Sequence, residues 1–483
     1  MARYDLVVKG GVVVTPGMEP IRADLGVHAG KIAALAIEID ANESDSVLDA
    51  TGKVILPGAV DSHFHVGIYR PHSEDAISES ASAATGGVTT LISYFRTGHN
   101  YMDKTGPYSE IFPEVLKASQ DSFLIDYAYH LAPMTPQQIE EADLLVSEFG
   151  VSSFKFYMFY GGLDLAGSLN SREYIMTENP YDLGHLYSIM QKVSQLNEKY
   201  ASVGGVRLNV HCENPNIIRV AMEQVKDEGL SDLEAYSLAR PTISERLAIY
   251  EAATLADATD CPLSILHISS GDALQAGLEV QAMYPHLDIK LETTLHHLGL
   301  TTTTGGGVLG KVNPPIRGEE DIEALWEAAA NGFLDRVVSD HACNPQNLKG
   351  GQMWSANPGF GGASLIYPIM LSEGYHNRGI SLSRIAELVA LNPARSHGLF
   401  PRKGAIAIGA DADLAIIDLE IEKEVGAEDM NSAQDYTPFA GMRLRGWPTD
   451  TIVRGIPVFR NSIIVGQPGV GEYIKRPVML HGH

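Results

Sequence analysis

After Pro57-Gly58 the chain repeats one pattern until about residue 395: a short apolar run, then a stretch of helical period. Strands are expected near Ala59 to His65, Val88 to Tyr94, Phe123 to His130, Ser152 to Tyr157, Val206 to His211, Leu263 to His267, Ile289 to Thr293 and Arg336 to Asp340. Helical segments such as Pro136 to Phe149, Asp182 to Tyr200, Ile243 to Thr259 and Glu319 to Ala330 lie between them. Eight βα units in succession point to an α/β fold closed into a (β/α)8 TIM barrel rather than to an open doubly wound sheet.

The flanks read differently. From about residue 4 to 56 the pattern is short strands, at Asp5 to Val8, at Gly11 to Val14 and in a hairpin around His28-Ala29-Gly30-Lys31, with no helical period. Strands return after about Gly404, at Ala412 to Asp418, Thr451 to Arg454 and Ile456 to Arg460. Both sets are expected to join in a small β-sandwich domain formed by the two chain ends. The chain then divides into an N-terminal β part (1–56), the barrel (57–400) and a C-terminal β part with a tail (401–483).

Composition removes several functions. Apolar residues make up 45% of the 483 and charged residues 20%, and no apolar run approaches the roughly 20 residues of a membrane span. A net charge of −25, from 35 basic and 60 acidic residues, repels phosphate backbones and anionic lipid, so neither nucleic acid nor membrane is an expected partner. Cys212, Cys261 and Cys343 are too few and scattered for a disulfide framework or a CxxC metal site, and the start Met-Ala-Arg-Tyr-Asp lacks the marks of a signal peptide. A cytoplasmic protein is expected.

The chemistry-bearing residues cluster at strand ends. In Asp61-Ser62-His63-Phe64-His65 the two imidazoles, two residues apart, share a face and can hold one metal ion, or they are two unrelated polar residues. Lys155 lies within Phe154-Lys155-Phe156-Tyr157; such a lysine either snorkels to water or, as a neutral amine, reacts with carbon dioxide to give a carbamate whose two oxygens bridge a cation pair. His211 and His267 each end an apolar run, where a structural histidine is the ordinary case. Asp340 ends the eighth strand and has its own reading as the N-cap of the next helix. Singly the plain readings hold. Together they fail, because five potential ligands and an unusual lysine all fall at the C-terminal ends of strands 1, 4, 5, 6 and 8, the face on which barrel enzymes carry their sites.

This order resembles the amidohydrolase superfamily, and the residues look like its cyclic amidase branch of dihydropyrimidinases, hydantoinases and allantoinases. The likeness rests on Leu56-Pro57-Gly58-Ala59-Val60-Asp61 before His63 and His65, Ala84-Thr85-Gly86-Gly87-Val88-Thr89-Thr90, Lys155 with Tyr160 five residues on, and His211-Cys212-Glu213-Asn214. It continues through Asn313-Pro314-Pro315-Ile316-Arg317, Ser339-Asp340-His341, Asp435-Tyr436-Thr437-Pro438-Phe439 and Tyr473-Ile474-Lys475-Arg476-Pro477. The resemblance implies two divalent ions per subunit, usually zinc, bridged by carboxylated Lys155 (N6-carboxylysine) and a hydroxide, with His63, His65 and Asp340 on one ion and His211 and His267 on the other. Two dications against carbamate, aspartate and hydroxide leave about +1, which favours a developing oxyanion. The implied reaction is hydroxide attack on a ring carbonyl, with Tyr160 donating to the oxyanion and Asp340 relaying the proton to the departing nitrogen. The loops of Asn313 and Asn357 would bind the amide edge of the substrate, and relatives are often homotetramers whose tail, here with Tyr473 and Lys475, packs on a neighbour.

Departures from the pattern narrow the substrate. Dihydroorotases carry an arginine where Gly67 stands, and a Gly-x-Glu-x-Arg segment is replaced here by Gly361-Gly362-Ala363-Ser364-Leu365. A pocket without a cation is therefore expected to take an uncharged hydantoin- or dihydropyrimidine-like ring. Arg70, His72 and Trp354 either shape that pocket or pack elsewhere; Cys212, Cys343, His296 and His297 read as structural neighbours. The competing readings are an allantoinase or other ureide or lactam hydrolase, and a non-catalytic scaffold, for which the full ligand set has no use.

Overall fold

The computed structural model describes residues 2–161 and 181–477. Eight parallel strands form its central sheet: β1 (Ala59–Phe64), β2 (Val88–Arg96), β3 (Asp126–Ala132), β4 (Ser153–Tyr157), β5 (Arg207–His211), β6 (Leu263–Ile265), β7 (Ile289–Thr294) and β8 (Arg336–Val338). Each pairs with the next in chain order. Helices such as Leu183–Tyr200, Thr242–Thr259 and Glu319–Asn331 cover the outside, so most strands are buried on both faces and read as continuous apolar runs.

The ring closes between β1 and β8. Phe64 bridges His341 in parallel register and stacks on its ring at 4.4 Å, and the His65 N–H donates to the His341 carbonyl at 2.8 Å. One turn lower, the Asp61 carboxylate accepts from the Ser339 N–H at 3.2 Å and from the Ser339 hydroxyl. Burial pushes this carboxyl up to about 7, against the pull of those same hydrogen bonds. The seam thus fixes the strand ends that carry His63, His65 and Asp340.

The chain ends share one β domain. A four-stranded sheet is built from Leu6–Lys9, Asp24–His28, Lys31–Ala36 and Val47–Asp49. A seven-stranded mixed sheet joins Val54–Pro57 antiparallel to Leu414–Glu424, placing Leu56 opposite Ala415. Val8, Leu25, Ile55, Leu414 and Ile452 pack in one buried cluster between the sheets. The strand expected from Thr451 begins earlier, at Arg443, because Gly446 and Pro448 interrupt its alternation and mark a register shift against Leu414–Glu424.

One expectation needs correction. Strands β6 and β8 end at Ile265 and Val338, short of His267 and Asp340, because both site residues take left-handed backbone angles, φ 35° and φ 50°. Such angles are uncommon for residues with a side chain and turn these two groups off the strand direction. Within the chain the tail packs on the barrel: the Tyr473 ring sits 5.7 Å from Tyr127 and its hydroxyl donates to the Phe149 carbonyl, while the Lys475 ammonium donates to the Glu148 carbonyl.

A buried ion cluster ties the β domain to the barrel floor. Lys403 Nζ lies 2.5 Å from Asp126 at the start of β3, 2.5 Å from Asp413 and 2.9 Å from Asp411, all in the interior. Removing one partner of such a cluster leaves uncompensated buried charge. Lys403→Met should therefore lower stability by roughly 3–5 kcal/mol, read as the shift of a urea unfolding midpoint; a loss below about 1 kcal/mol, the scale of a surface pair, would show that the cluster does not fasten the two parts.

Candidate metal centre and active site

The C-terminal ends of the barrel strands line a cleft of about 210 Å³ that contains His63, His65, Lys155, His211, His267 and Asp340. Asp340 Oδ1 stands 3.1 Å from Nε2 of both His63 and His65, and these three groups form one potential metal cluster. The His211 and His267 rings lie 4.2 Å apart, and His267 is 5.3 Å from His63, so the second imidazole pair adjoins the first. Between them lies Lys155, buried, its Nζ 4.4 Å from the Tyr94 ring and 4.8 Å from the Tyr157 ring.

Burial sets the protonation of this group. It holds His63 and His267 well below the ordinary imidazole value and His211 at about 4, and the nearby Lys155 adds to each shift. All are neutral at pH 7, the form that ligates. Burial also pulls the Lys155 amine down to about 7, against the attraction of Asp340 and Glu292. A substantial share is then unprotonated and nucleophilic.

The outward nitrogens are held in place. His63 Nδ1 meets Glu292 Oε1 at 2.7 Å, and the other oxygen of Glu292 accepts from Arg336 Nε at 2.7 Å. His211 Nε2 meets Glu213 at 2.6 Å, and Arg240 grips both oxygens of Glu213. His65 Nδ1 meets the Tyr101 hydroxyl at 2.6 Å. With Glu292 ionised against Arg336, His63 Nδ1 carries the proton and Nε2 turns a lone pair toward the Asp340 carboxylate. Acceptors facing one another at 3.1 Å favour a cation between them. His267 Nδ1 is a buried ring nitrogen with no hydrogen-bond partner among the described residues. The donor set therefore fits divalent metal, and carboxylate or tyrosine partners behind the imidazoles are the outer support such ligands use.

The remaining expected residues divide. Tyr160, on the 3₁₀ turn Met158–Tyr160 that follows β4, and Asn313 and Asn357 all line the cleft. Asn313 Oδ1 accepts from the Tyr236 hydroxyl at 2.6 Å, whereas the Asn357 side-chain amide already donates to the Leu348 carbonyl at 3.0 Å. Asp340 caps no helix, since the next one, Gln346–Lys349, follows Pro345. Arg70 pairs with Asp75, His72 with Ser119 and Tyr129, and Trp354 packs near Tyr236; none of the three lines the cleft. Cys212 and Cys343 are buried thiols pushed up by burial, and His296 and His297 are buried, His297 bonding Thr294 and the Pro314 carbonyl.

Two kinds of residue escape the sequence reading. Glu292 and Glu213 stand behind His63 and His211, and a charged side chain within the expected strand Ile289 to Thr293 was a readable signal for the first. Arg96 ends β2 and lines the cleft, which corrects the expectation of a pocket without a cation. Gly67 does match that expectation: its φ of 78° and a Cβ position 2.9 Å from His72 leave no room for an arginine.

A (β/α)8 barrel with four imidazoles, a carboxylate and a buried lysine gathered on its C-terminal face is the architecture of a metal-dependent hydrolase. A model of the amidohydrolase family matches residues 54–458, and the chain belongs to that family, in its cyclic amidase branch. It is 31% identical to an L-hydantoinase of Paenarthrobacter aurescens over 485 aligned residues, covering 98% of each chain. It is 31% identical to an allantoinase of Rubrobacter xylanophilus over 482 residues, again covering 98% of each. Its structure matches the L-hydantoinase (dihydropyrimidinase) from Arthrobacter aurescens with a TM-score of 0.85 at 30% identity, over 98% of this chain and 100% of that one.

Glu292→Gln keeps the hydrogen-bonding shape but removes the charge behind His63. Metal affinity should fall by about 10- to 100-fold, measured by competition with a chelator; unchanged affinity would remove Glu292 from the support of the site.

Proposed function

We propose that the protein hydrolyses one carbon–nitrogen bond of a cyclic amide or imide, with a hydantoin- or dihydropyrimidine-like ring as substrate. The observation that carries this is the convergence of His63, His65, His211, His267, Asp340 and the buried Lys155 in one cleft of an amidohydrolase barrel. Two divalent ions, zinc by the nature of the donors, would be held by His63, His65 and Asp340 and by His211 and His267, with carboxylated Lys155 between them; they would supply Lewis-acid polarisation and an activated water.

The chain's own groups supply the rest. Asp340, held against His63 and His65 at 3.1 Å, is placed to take a proton from the attacking water and return it to the departing ring nitrogen. The ring C–N bond breaks, the water oxygen remains on the carbonyl carbon, and the nitrogen leaves with the proton. Tyr160 donates a hydrogen bond from its phenol to the carbonyl oxygen as negative charge gathers there. Asn313, its carbonyl oriented by Tyr236, presents its amide to the ring edge, and the Asn357 loop forms the opposite wall. Gly67 argues against dihydroorotate, since the strand-1 arginine that dihydroorotases use has no room.

The allantoin reading rests on a relative as similar as the hydantoinase. Turnover of hydantoin, dihydrouracil, allantoin and succinimide side by side separates the two, and turnover of none overturns the hydrolase reading. The three cysteines are buried and unpaired, which supports a reducing, cytoplasmic setting; the proposed assembly is a homotetramer, from the family resemblance. Among the described residues no helix is long and apolar enough to cross a membrane.

Lys155→Ala removes the one side chain, among the described residues at that strand end, that as a carbamate would offer two bridging oxygens. The purified variant should lose most of its metal and activity, and short carboxylic acids should restore part of the rate; two metals per chain with near-normal rates would refute the carbamate. Asp340→Asn should lower turnover by roughly 10² to 10⁴. A rate within a few fold of wild type would exclude Asp340 as the proton carrier.

A further inference from the structure

Arg96 is 8% exposed, ends β2 and lines the same cleft as the metal-ligand set. Its guanidinium lies 5.8 Å from the centre of the Tyr160 ring, and Nη1 donates to the Thr97 carbonyl at 3.1 Å. Among the described residues no carboxylate pairs with it. The other deeply buried arginines of this face differ: Arg240 is matched to Glu213, Arg317 to Glu245 and Arg336 to Glu292. Asp340 is the one acid among the described residues that line the cleft, and it is engaged with His63 and His65. The cleft thus holds a desolvated cation with five donors, met among the described residues by the Thr97 carbonyl and the Tyr160 phenol but by no carboxylate, next to the surface a substrate must touch.

A buried guanidinium without a counter-charge is costly, and a carboxylate arriving with the substrate relieves that cost through a charge-assisted, two-pronged pair. We infer that the substrate carries an anionic side arm, a carboxylate on a substituent of the ring, which Arg96 receives while the ring amide faces the ligand set. This rests on the cyclic amidase reading and narrows its substrate class. An arm is assigned over a carboxylate set directly on the ring because the β1 position associated with the latter holds Gly67, while the cation of this cleft comes from the end of β2. Asn100 and Tyr101, which follow Arg96 and also line the cleft, complete a polar wall for that arm.

The test compares 5-(2-carboxyethyl)hydantoin with its neutral isostere 5-(2-carbamoylethyl)hydantoin and with allantoin, using metal-loaded wild type, Arg96→Met and Arg96→Lys. In wild type kcat/KM for the acid should exceed that for the amide by at least about tenfold. Arg96→Met should collapse the ratio toward one by lowering the acid far more than the amide, and Arg96→Lys should keep part of it. An acid-to-amide ratio near or below one in wild type overturns the inference, whether or not the variants fold. An equal loss on all three rings in Arg96→Met overturns it too, because that is the mark of a residue that only steadies Tyr160. Preference for allantoin over the acid assigns Arg96 to a neutral ureide and likewise overturns it. If no ring is opened by the wild type, the hydrolase reading fails, a result distinct from each of these.

Discussion

An amine buried at the end of a barrel strand, with aromatic faces on two sides, is tolerated only if it sheds its proton or meets negative charge. Lys155 is in that position, and the groups around it share its problem. Four imidazoles are kept neutral by the same burial, so together they cannot answer the charge of Asp340 by protonation. The proposed metal pair, with Lys155 as carbamate, would resolve both deficits in one arrangement. The shell behind the site follows from it: Glu292 with Arg336 and Glu213 with Arg240 orient His63 and His211 and are themselves neutralised, so the ligands are aimed without adding net charge to the interior.

The fold exists to hold these strand ends in register. The β1–β8 seam, fastened by Asp61 to Ser339 and by Phe64 against His341, brings the first and last ligand-bearing strands together across nearly the whole barrel sequence. Glu79 reinforces it from outside by pairing with His341 at 2.8 Å, and its carboxyl is held down at about 2 by that pair and by the hydroxyls of Ser432 and Ser78. Ile474 of the tail packs with Val60, Ile92 and Ala128 of the first three barrel strands, and Thr451 of the β domain donates to the Ala84 carbonyl, so the C-terminal segments are fastened to the barrel away from the ligand set.

Much of this was legible in the sequence because burial on both strand faces leaves an uninterrupted apolar run, and a histidine or lysine at the end of such a run stands out. His211 and His267 met that description, and Lys155 stood out between two phenylalanines, while His63, His65 and Asp340 were legible from their place at the ends of the first and last barrel strands. What stayed hidden depends on backbone angles or on partners distant in sequence. The left-handed turns at His267 and Asp340 made their strands look two residues longer than they are. Arg96 follows Tyr94-Phe95 at the end of an apolar strand, where a snorkelling arginine is the ordinary case; only the three-dimensional path of β2 places it in the cleft.

The account stands or falls on whether Lys155 carries a carbamate. Protein produced or reconstituted in ¹³C-bicarbonate and examined by ¹³C NMR should show one carbonyl-region carbon per chain, lost when metal is stripped at mildly acidic pH and traceable to Lys155 by its absence in a Lys155 variant. An active, metal-loaded protein that takes up no labelled carbon would contradict the bridging role of Lys155 and, with it, the reason for burying an amine at the centre of this site.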